Sequence, residues 1–478
     1  MTNDSQPNEQ LQLSREEMRE LGYQVVDMLI DHIEHLQDMP LANKVERATL
    51  EQRLREPLPE LGGDIASVLQ QVEQDVFGNT ISTAHPRFFA YVPGPSNFVS
   101  VMADALISGY NAFVGSWMLA PGPAQVELVT IDWLRQICGL PATAGGLCVS
   151  GGSVANLTAL ATARYIKLAD SIKGAVAYCS DQTHTATDRA LKVLGFAPEQ
   201  LRKLPADDHF CLSMPALQRA VAEDRAAGKR PFCVIANVGT TNTGAVDPLP
   251  ELAAFCRAED LWLHADAAYG GPAILCEQGR TLLQGLEQVD SLVLDPHKWL
   301  FQPFEIGCVI TRDGRWLRET FSVLPAILRD VAGREEEINF RDYGIQLTRN
   351  ARALKLWMSL KVFGLAAFRQ AIARGFQLAE VAEDRLRESA CWEVVTPAQM
   401  GIVTFRYVAE LLSSTEIDAL NQHILEAMQQ DGFALLNSTI LRGRMVLRLC
   451  TINPRTQEAD IRETIRRLEQ FGKRARGM

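Results

Sequence analysis

Long apolar runs are missing: no stretch of eighteen or more hydrophobic residues occurs in the 478-residue chain, so no segment reads as a membrane-spanning helix. The first ten residues, MTNDSQPNEQ, carry neither a basic patch nor an apolar stretch; they do not read as a secretion signal, and a cytosolic protein is expected. Paired cysteines are missing too. The ten cysteines stand singly at 138, 148, 179, 211, 233, 256, 276, 308, 391 and 450, none in a C-x-x-C pair or at a Cys/His metal spacing. They read as buried thiols in a reducing compartment. The eight histidines have no ligand spacing either, so no metal is expected. Excess positive charge is absent: 47 Lys+Arg face 58 Asp+Glu, a net charge of −11, which argues against nucleic acid as a partner. Internal repeats, low-complexity tracts and Gly/Ser linkers do not occur. What remains, 47% hydrophobic and 22% charged, is the composition of a globular protein with chain enough for two or three lobes.

Residues 11–38 read as one amphipathic helix opened by a Ser14-x-x-Glu17 capping box, with Leu21, Val25, Met28, Leu29, His32 and Ile33 near one face. That stripe needs a surface, and a second subunit is expected because no neighbouring helix lies close in sequence. From about 125 to 310, short apolar runs (GGLCVS, AVAYCS, PFCVIANV, LWLHADAA, SLVLDP, GCVITRD) alternate with helical stretches. Such alternation predicts an α/β fold with a mostly parallel sheet covered on both faces, and ligand groups at the carboxyl ends of its strands. After residue 345 a long helical stretch leads into a smaller α+β section, with strands near WEVVT, GIVTFRYV and RMVLRLCTI and helices near STEIDALNQHILEAMQQ and QEADIRETIRRLEQF.

Four features stand at strand ends. SGGSVAN (150–156) follows a strand and opens a helix, so its backbone amides and the Ser153 hydroxyl suit a phosphate, although alone it is equally a tight turn. His184, in SDQTHTATDRA, lies just past an apolar strand, where a lone histidine is more often structural. Asp266, in LWLHADAAYGG, ends a hydrophobic strand; a cationic ring nitrogen would offset the cost of burying it, and the small Ala268 would let a flat ring approach. Lys298, in DPHKWL, sits in an apolar setting between His297 and Trp299, where desolvation would suit an amine to imine formation. A snorkelling surface lysine is the plain alternative for that residue by itself. Taken together, the four describe a site for pyridoxal phosphate.

HADAAYGG followed by DPHKWL, with SDQTHTATDRA and HPRFFAY upstream, resembles the group II pyridoxal-phosphate-dependent amino-acid decarboxylases, the aromatic-L-amino-acid decarboxylase family. The resemblance spans nearly the whole chain. It implies the fold-type-I architecture of aspartate aminotransferase, and a homodimer with the active site at the subunit interface. It also implies three parts: an N-terminal helical segment packing across the dimer (1–95), a large cofactor domain (96–365) and a small C-terminal domain (366–478). By position, Lys298 matches the lysine that binds the cofactor, Asp266 the partner of the pyridine nitrogen, His184 the ring-stacking residue and Ala268 the residue below the ring. Gly152, Ser153, Asp295 and His297 match phosphate-side positions, and Thr241 in NVGTTNTG the cofactor-side threonine. The implied reaction is decarboxylation of an L-amino acid, aromatic by default, to its amine.

Two departures qualify that reading. Where the family places a loop tyrosine credited with protonating the product carbon, this chain has Ile327, which cannot donate a proton. His184, His297, a water or Tyr343 could act instead. Loss of that tyrosine is associated in the family with oxygen-dependent aldehyde synthases, so that chemistry stands as an alternative, with acidic substrates or another pyridoxal-phosphate reaction behind it. The substrate-side stretch YVPGPSN contributes Tyr91, Pro93 and Gly94; Gly94 and Gly115 replace larger residues of the animal enzymes, which predicts a roomier or differently shaped pocket.

Overall fold

The structure is a computed structural model and describes residues 11–42, 45–323 and 337–476. Seven strands make the larger sheet: β1 (Gly145–Val149), β2 (Ala175–Ser180), β3 (Leu201–Leu204), β4 (Arg230–Asn237), β5 (Trp262–Asp266), β6 (Ser291–Leu294) and β7 (Gly307–Thr311). Their order is β1-β7-β6-β5-β4-β2-β3. All neighbours are parallel except β7, which runs antiparallel to both β1 and β6. β2 and β6 are buried along their whole length, and β4 from Phe232 onward, because helices cover both faces and no alternation of polar residues is required. The faces separate within a single strand. Leu147 and Val149 pack with Ala155 and Ala159 on one side, and Cys148 packs with Ile131 and Leu134 on the other. Helix Gly152–Leu168 lies against β4, β5, β6 and β7, and its buried alanines Ala155, Ala159 and Ala163 let its backbone approach the sheet closely.

The smaller sheet is antiparallel, β10-β11-β9-β8, formed by β8 (Trp392–Gln399), β9 (Ile402–Tyr407), β10 (Asn437–Leu441) and β11 (Arg444–Cys450). Helices Ser414–Asp431 and Glu458–Ala475 bury Ile424, Met428, Ile465 and Leu468 in one cluster with Phe405 and Leu447 of the sheet. Helix Ala353–Arg387 joins the two lobes. Gly364 interrupts it with φ 72° and ψ 157°, a backbone that other residues adopt only under strain.

The leading helix, Arg15–Glu34, starts at the expected capping box: Ser14 Oγ accepts from the Glu17 amide (3.2 Å) and Glu17 Oε2 from the Ser14 amide (2.7 Å). It buries none of its residues in its own chain. The end of the expected N-terminal segment is tied to the small lobe instead. The Phe89 amide donates to the Leu435 carbonyl (2.8 Å), and the Phe89 carbonyl accepts from the Cys450 amide (3.0 Å). No helix among the described residues is long and apolar enough to cross a membrane.

Candidate active site

The carboxyl ends of β1, β2, β4, β5 and β6 open into one cavity of about 500 Å³. Parallel strands of a sheet covered on both faces direct their carboxyl-end loops to one edge, which is why residues far apart in sequence meet there.

At the end of β1 the chain turns through Ser150 and Gly151 into helix Gly152–Leu168. The first helical bond runs from the Ala155 amide to the Gly151 carbonyl (2.9 Å), so the amides of Gly152, Ser153 and Val154 precede any helical acceptor and line the cavity. Side chains would close this cradle. A Cβ on Gly151 would stand 2.9 Å from His297 Cε1, and one on Gly152 2.7 Å from Asp295 Oδ2. Unpaired amides at a positive helix end, with glycines where bulk would intrude, fit a phosphate.

β5 delivers Asp266 to the cavity. Its Oδ2 accepts from Asn156 Nδ2 (3.1 Å) and its Oδ1 from the Ala268 amide (3.2 Å), so both oxygens are anchored and the carboxyl is held in one orientation. Past β6, the tight turn of residues 295–298 puts Lys298 Nζ 3.0 Å from Asp295 Oδ2, with His297 Nε2 3.6 Å from the same oxygen. Asp295 is 1% exposed and matches a phosphate-side position, yet an anion there would repel a phosphate; its carboxylate meets the amine instead. The apolar surroundings read for Lys298 form only in part, since its side chain is 27% exposed. Burial lowers the His297 pKa, so its ring is neutral near pH 7; its Nδ1 accepts from the Ile306 amide (3.3 Å). Trp299 points away into the core, stacked between Tyr269 (5.3 Å) and Phe376 (5.4 Å).

His184 stands at the mouth of the cavity, exposed, with its Nδ1 accepting from the Ala186 amide (3.2 Å). Its loop is fastened from below. The Asn237 side chain at the end of β4 reaches Ser180 Oγ and Thr183 Oγ1 at 3.1 Å each and the Asp247 carboxyl at 2.9 Å. Asp247 is fully enclosed, and burial pushes its pKa up to about 6. Thr241 lines the cavity from the turn after β4.

Nine candidates read from the sequence therefore share one cavity with Tyr91: Gly152, Ser153, His184, Thr241, Asp266, Ala268, Asp295, His297 and Lys298. Pro93 and Gly94 are buried and do not line it. Ile327 lies outside the described residues. Neither Gly94 nor Gly115 leaves open space beside its own backbone. A Cβ at Gly94 would meet Phe304 Cζ at 2.8 Å, and one at Gly115 would meet first the Leu347 carbonyl oxygen and then Phe113 Cζ at 2.8 Å, so a ring fills the first space and backbone and a ring the second. Sequence reasoning missed Asn156, Asn237, His264 and Tyr269. A signal for His264 was available: it precedes Asp266 by two residues on one strand, so both side chains leave the same face.

An imine-capable amine, an anchored carboxylate and an amide cradle at the carboxyl edge of a mostly parallel sheet define the class: a pyridoxal-phosphate enzyme of fold type I. Residues 48–408 match the family model described as the pyridoxal-dependent decarboxylase conserved domain, and the chain belongs to that family; it is a pyridoxal-phosphate-dependent amino-acid decarboxylase. It is 50% identical over 464 residues to the aromatic-L-amino-acid decarboxylase of Bacillus atrophaeus, covering 97% of each chain. A phenylacetaldehyde synthase of Arabidopsis thaliana is 31% identical over 464 residues, covering 94% of this chain and 95% of that one. Among solved structures, Oryza sativa TDC with PLP and tryptamine superposes with a TM-score of 0.93 at 28% identity, covering 98% of this chain and 99% of that one.

Proposed function

We propose that the protein decarboxylates an aromatic L-amino acid to its amine, with Lys298 as the residue that binds the cofactor. The observation that carries this reading is the convergence of Lys298, Asp266 and His184 on one cavity, in a chain half identical to an aromatic-L-amino-acid decarboxylase.

Bound there, pyridoxal phosphate supplies an electrophilic carbonyl and a ring that accepts the electron pair left behind by CO₂. The amides of Gly152, Ser153 and Val154 would bind its phosphate, helped by the Ser153 hydroxyl. Lys298 would offer Nζ as the amine that holds the cofactor. Asp295, 3.0 Å away, orients that amine. Asp266, its oxygens held by Asn156 and the Ala268 amide, would stand as the carboxylate partner of the cofactor's ring nitrogen and favour its protonated form. His184 and Ala268, which line the same cavity, would hold the cofactor's ring. Thr241 and His297 complete the wall, and Tyr91 borders the substrate side. For the proton returned to the product carbon, His184 is the favoured donor, being at the cavity mouth and open to solvent.

A panel of amino acids assayed with and without oxygen tests the reaction. The expected result is amine and CO₂ in equal amounts from an aromatic substrate under both conditions. Aldehyde, ammonia and peroxide that appear only with oxygen would replace this reading with the aldehyde-synthase one, and turnover of glutamate or aspartate alone would replace the substrate class.

The same reading includes a cytoplasmic homodimer in which the leading helix crosses to the partner. Its support is a helix that buries nothing in its own chain, with Leu11, Met18 and Tyr23 exposed beside it and along it. Sedimentation should give twice the 52.9 kDa chain mass. Deleting residues 1–34 should leave monomer, and a deleted chain that still dimerises contradicts the crossing helix.

A further inference from the structure

We propose that His264 is a positioning residue for Asp266, held as the Nε2–H tautomer by a one-way chain of hydrogen bonds that begins at Trp262 and ends on the Asp266 carboxylate. The inference rests on the reading of Asp266 as partner of the ring nitrogen.

The chain is assembled by strand geometry. Trp262, His264 and Asp266 alternate along β5 and so leave one face of the sheet, and the register of β5 with β6 sets His264 opposite Ser291. Asn156 reaches the same face from the second turn of helix Gly152–Leu168. The contacts follow in series: Trp262 Nε1 to Ser291 Oγ (2.8 Å), Ser291 Oγ to His264 Nδ1 (2.8 Å), His264 Nε2 to Asn156 Oδ1 (2.7 Å) and Asn156 Nδ2 to Asp266 Oδ2 (3.1 Å). Trp262, Ser291, His264 and Asn156 are each 1% exposed or less, so water does not compete for these partners.

The direction is fixed at both ends. An indole N–H only donates, so Ser291 Oγ accepts from Trp262. At the other end Asn156 Nδ2 faces two acceptors, the Gly152 carbonyl (2.9 Å) and Asp266 Oδ2. Its two hydrogens are used there, and Oδ1 is left toward His264. Oδ1 is an acceptor, so His264 Nε2 carries a proton; the other tautomer would set two acceptors 2.7 Å apart. Burial holds the His264 pKa down to about 4, so the ring has one proton only and its Nδ1 takes the Ser291 hydroxyl. Four donors then point the same way, each bond polarising the next, and the last fixes the Asp266 oxygen nearest Asn156. The lone pairs turned toward the cavity stay open for a ring N–H.

Histidine-selective ¹⁵N NMR of the holoenzyme, assigned by loss of one signal in His264→Gln, reads the tautomer directly. The expected signal is a neutral ring protonated at Nε2 and unchanged from about pH 5.5 to 9. A ring protonated at Nδ1, or one that titrates in that range, overturns the proposal, and this measurement decides even where a variant does not fold. Two variants add the functional readout: His264→Gln keeps an N–H for Asn156, and His264→Phe removes it. In the Phe variant the ring-nitrogen titration, followed by absorbance of the bound cofactor, should move down by about one pH unit. Its cofactor dissociation constant should rise about tenfold, and the Gln variant should stay within about threefold of the parent. A purely structural role lowers the melting temperature without moving the titration, and that result overturns the proposal. Asp266→Asn separates the two ideas. If it leaves the titration unmoved, the ring-nitrogen reading fails; if it moves the titration and His264→Phe does not, the relay alone fails.

Discussion

Replacing Lys298 by alanine should lower kcat by at least about 10³-fold, a loss of some 4 kcal/mol in transition-state stabilisation. The size follows from the chemistry, because no other amine of the described cavity lining can hold the cofactor and then yield to substrate. Alanine also strips Asp295 of its 3.0 Å partner, leaving a nearly enclosed carboxylate without its charge complement, so activity and stability fall together. Lys298→Arg separates the two effects. A guanidinium restores the pairing with Asp295 and is never deprotonated, so it forms no imine. The Arg variant is expected to keep the parent melting temperature within a few degrees and to be as inactive as the Ala variant. If the Arg variant retains more than about a tenth of parental kcat, Lys298 is not the residue that holds the cofactor.

Asp266→Asn should lower kcat by about 10²- to 10³-fold with little change in the Michaelis constant for the amino acid, since the lost charge acts on the developing electron pair rather than on substrate binding. Asparagine is nearly the same shape, so the core is not disturbed by volume. It has one acceptor oxygen, however, where the carboxylate uses two: one for Asn156 Nδ2 and one for the Ala268 amide. One of those donors loses its bond and an amide proton points toward the ring nitrogen. Cofactor affinity should fall as well, measured by titration of the apoprotein. A variant with parental kcat removes Asp266 from the chemistry.

Much of this was legible in the sequence because each part is local. Strands such as AVAYCS and SLVLDP are buried on both faces, and a continuous apolar run between turn residues marks them. The capping box at Ser14 needs only four residues to be recognised, and the helix starts there. The site candidates at strand ends were also local signals, and nine of them meet in one cavity. What could not be read was nonlocal. β3 (LRKL) and β10 (NSTIL) are short edge strands with partly exposed side chains, so neither a run nor an alternation distinguishes them from loop. What stands beside Gly94 and Gly115, Phe304 at the first and Leu347 and Phe113 at the second, depends on how distant or looped segments fold back, which the glycines alone do not show. The pairing of Asp295 with Lys298 was within reach at three residues' separation, but the match to a phosphate-side position obscured it.

The most direct measurement is chemical trapping of the lysine. Holoenzyme reduced with borohydride, digested and analysed by mass spectrometry should carry a phosphopyridoxyl group on the peptide containing DPHKWL, at Lys298 and at no other lysine. A label on a different lysine, or none on a protein that still decarboxylates, contradicts the account.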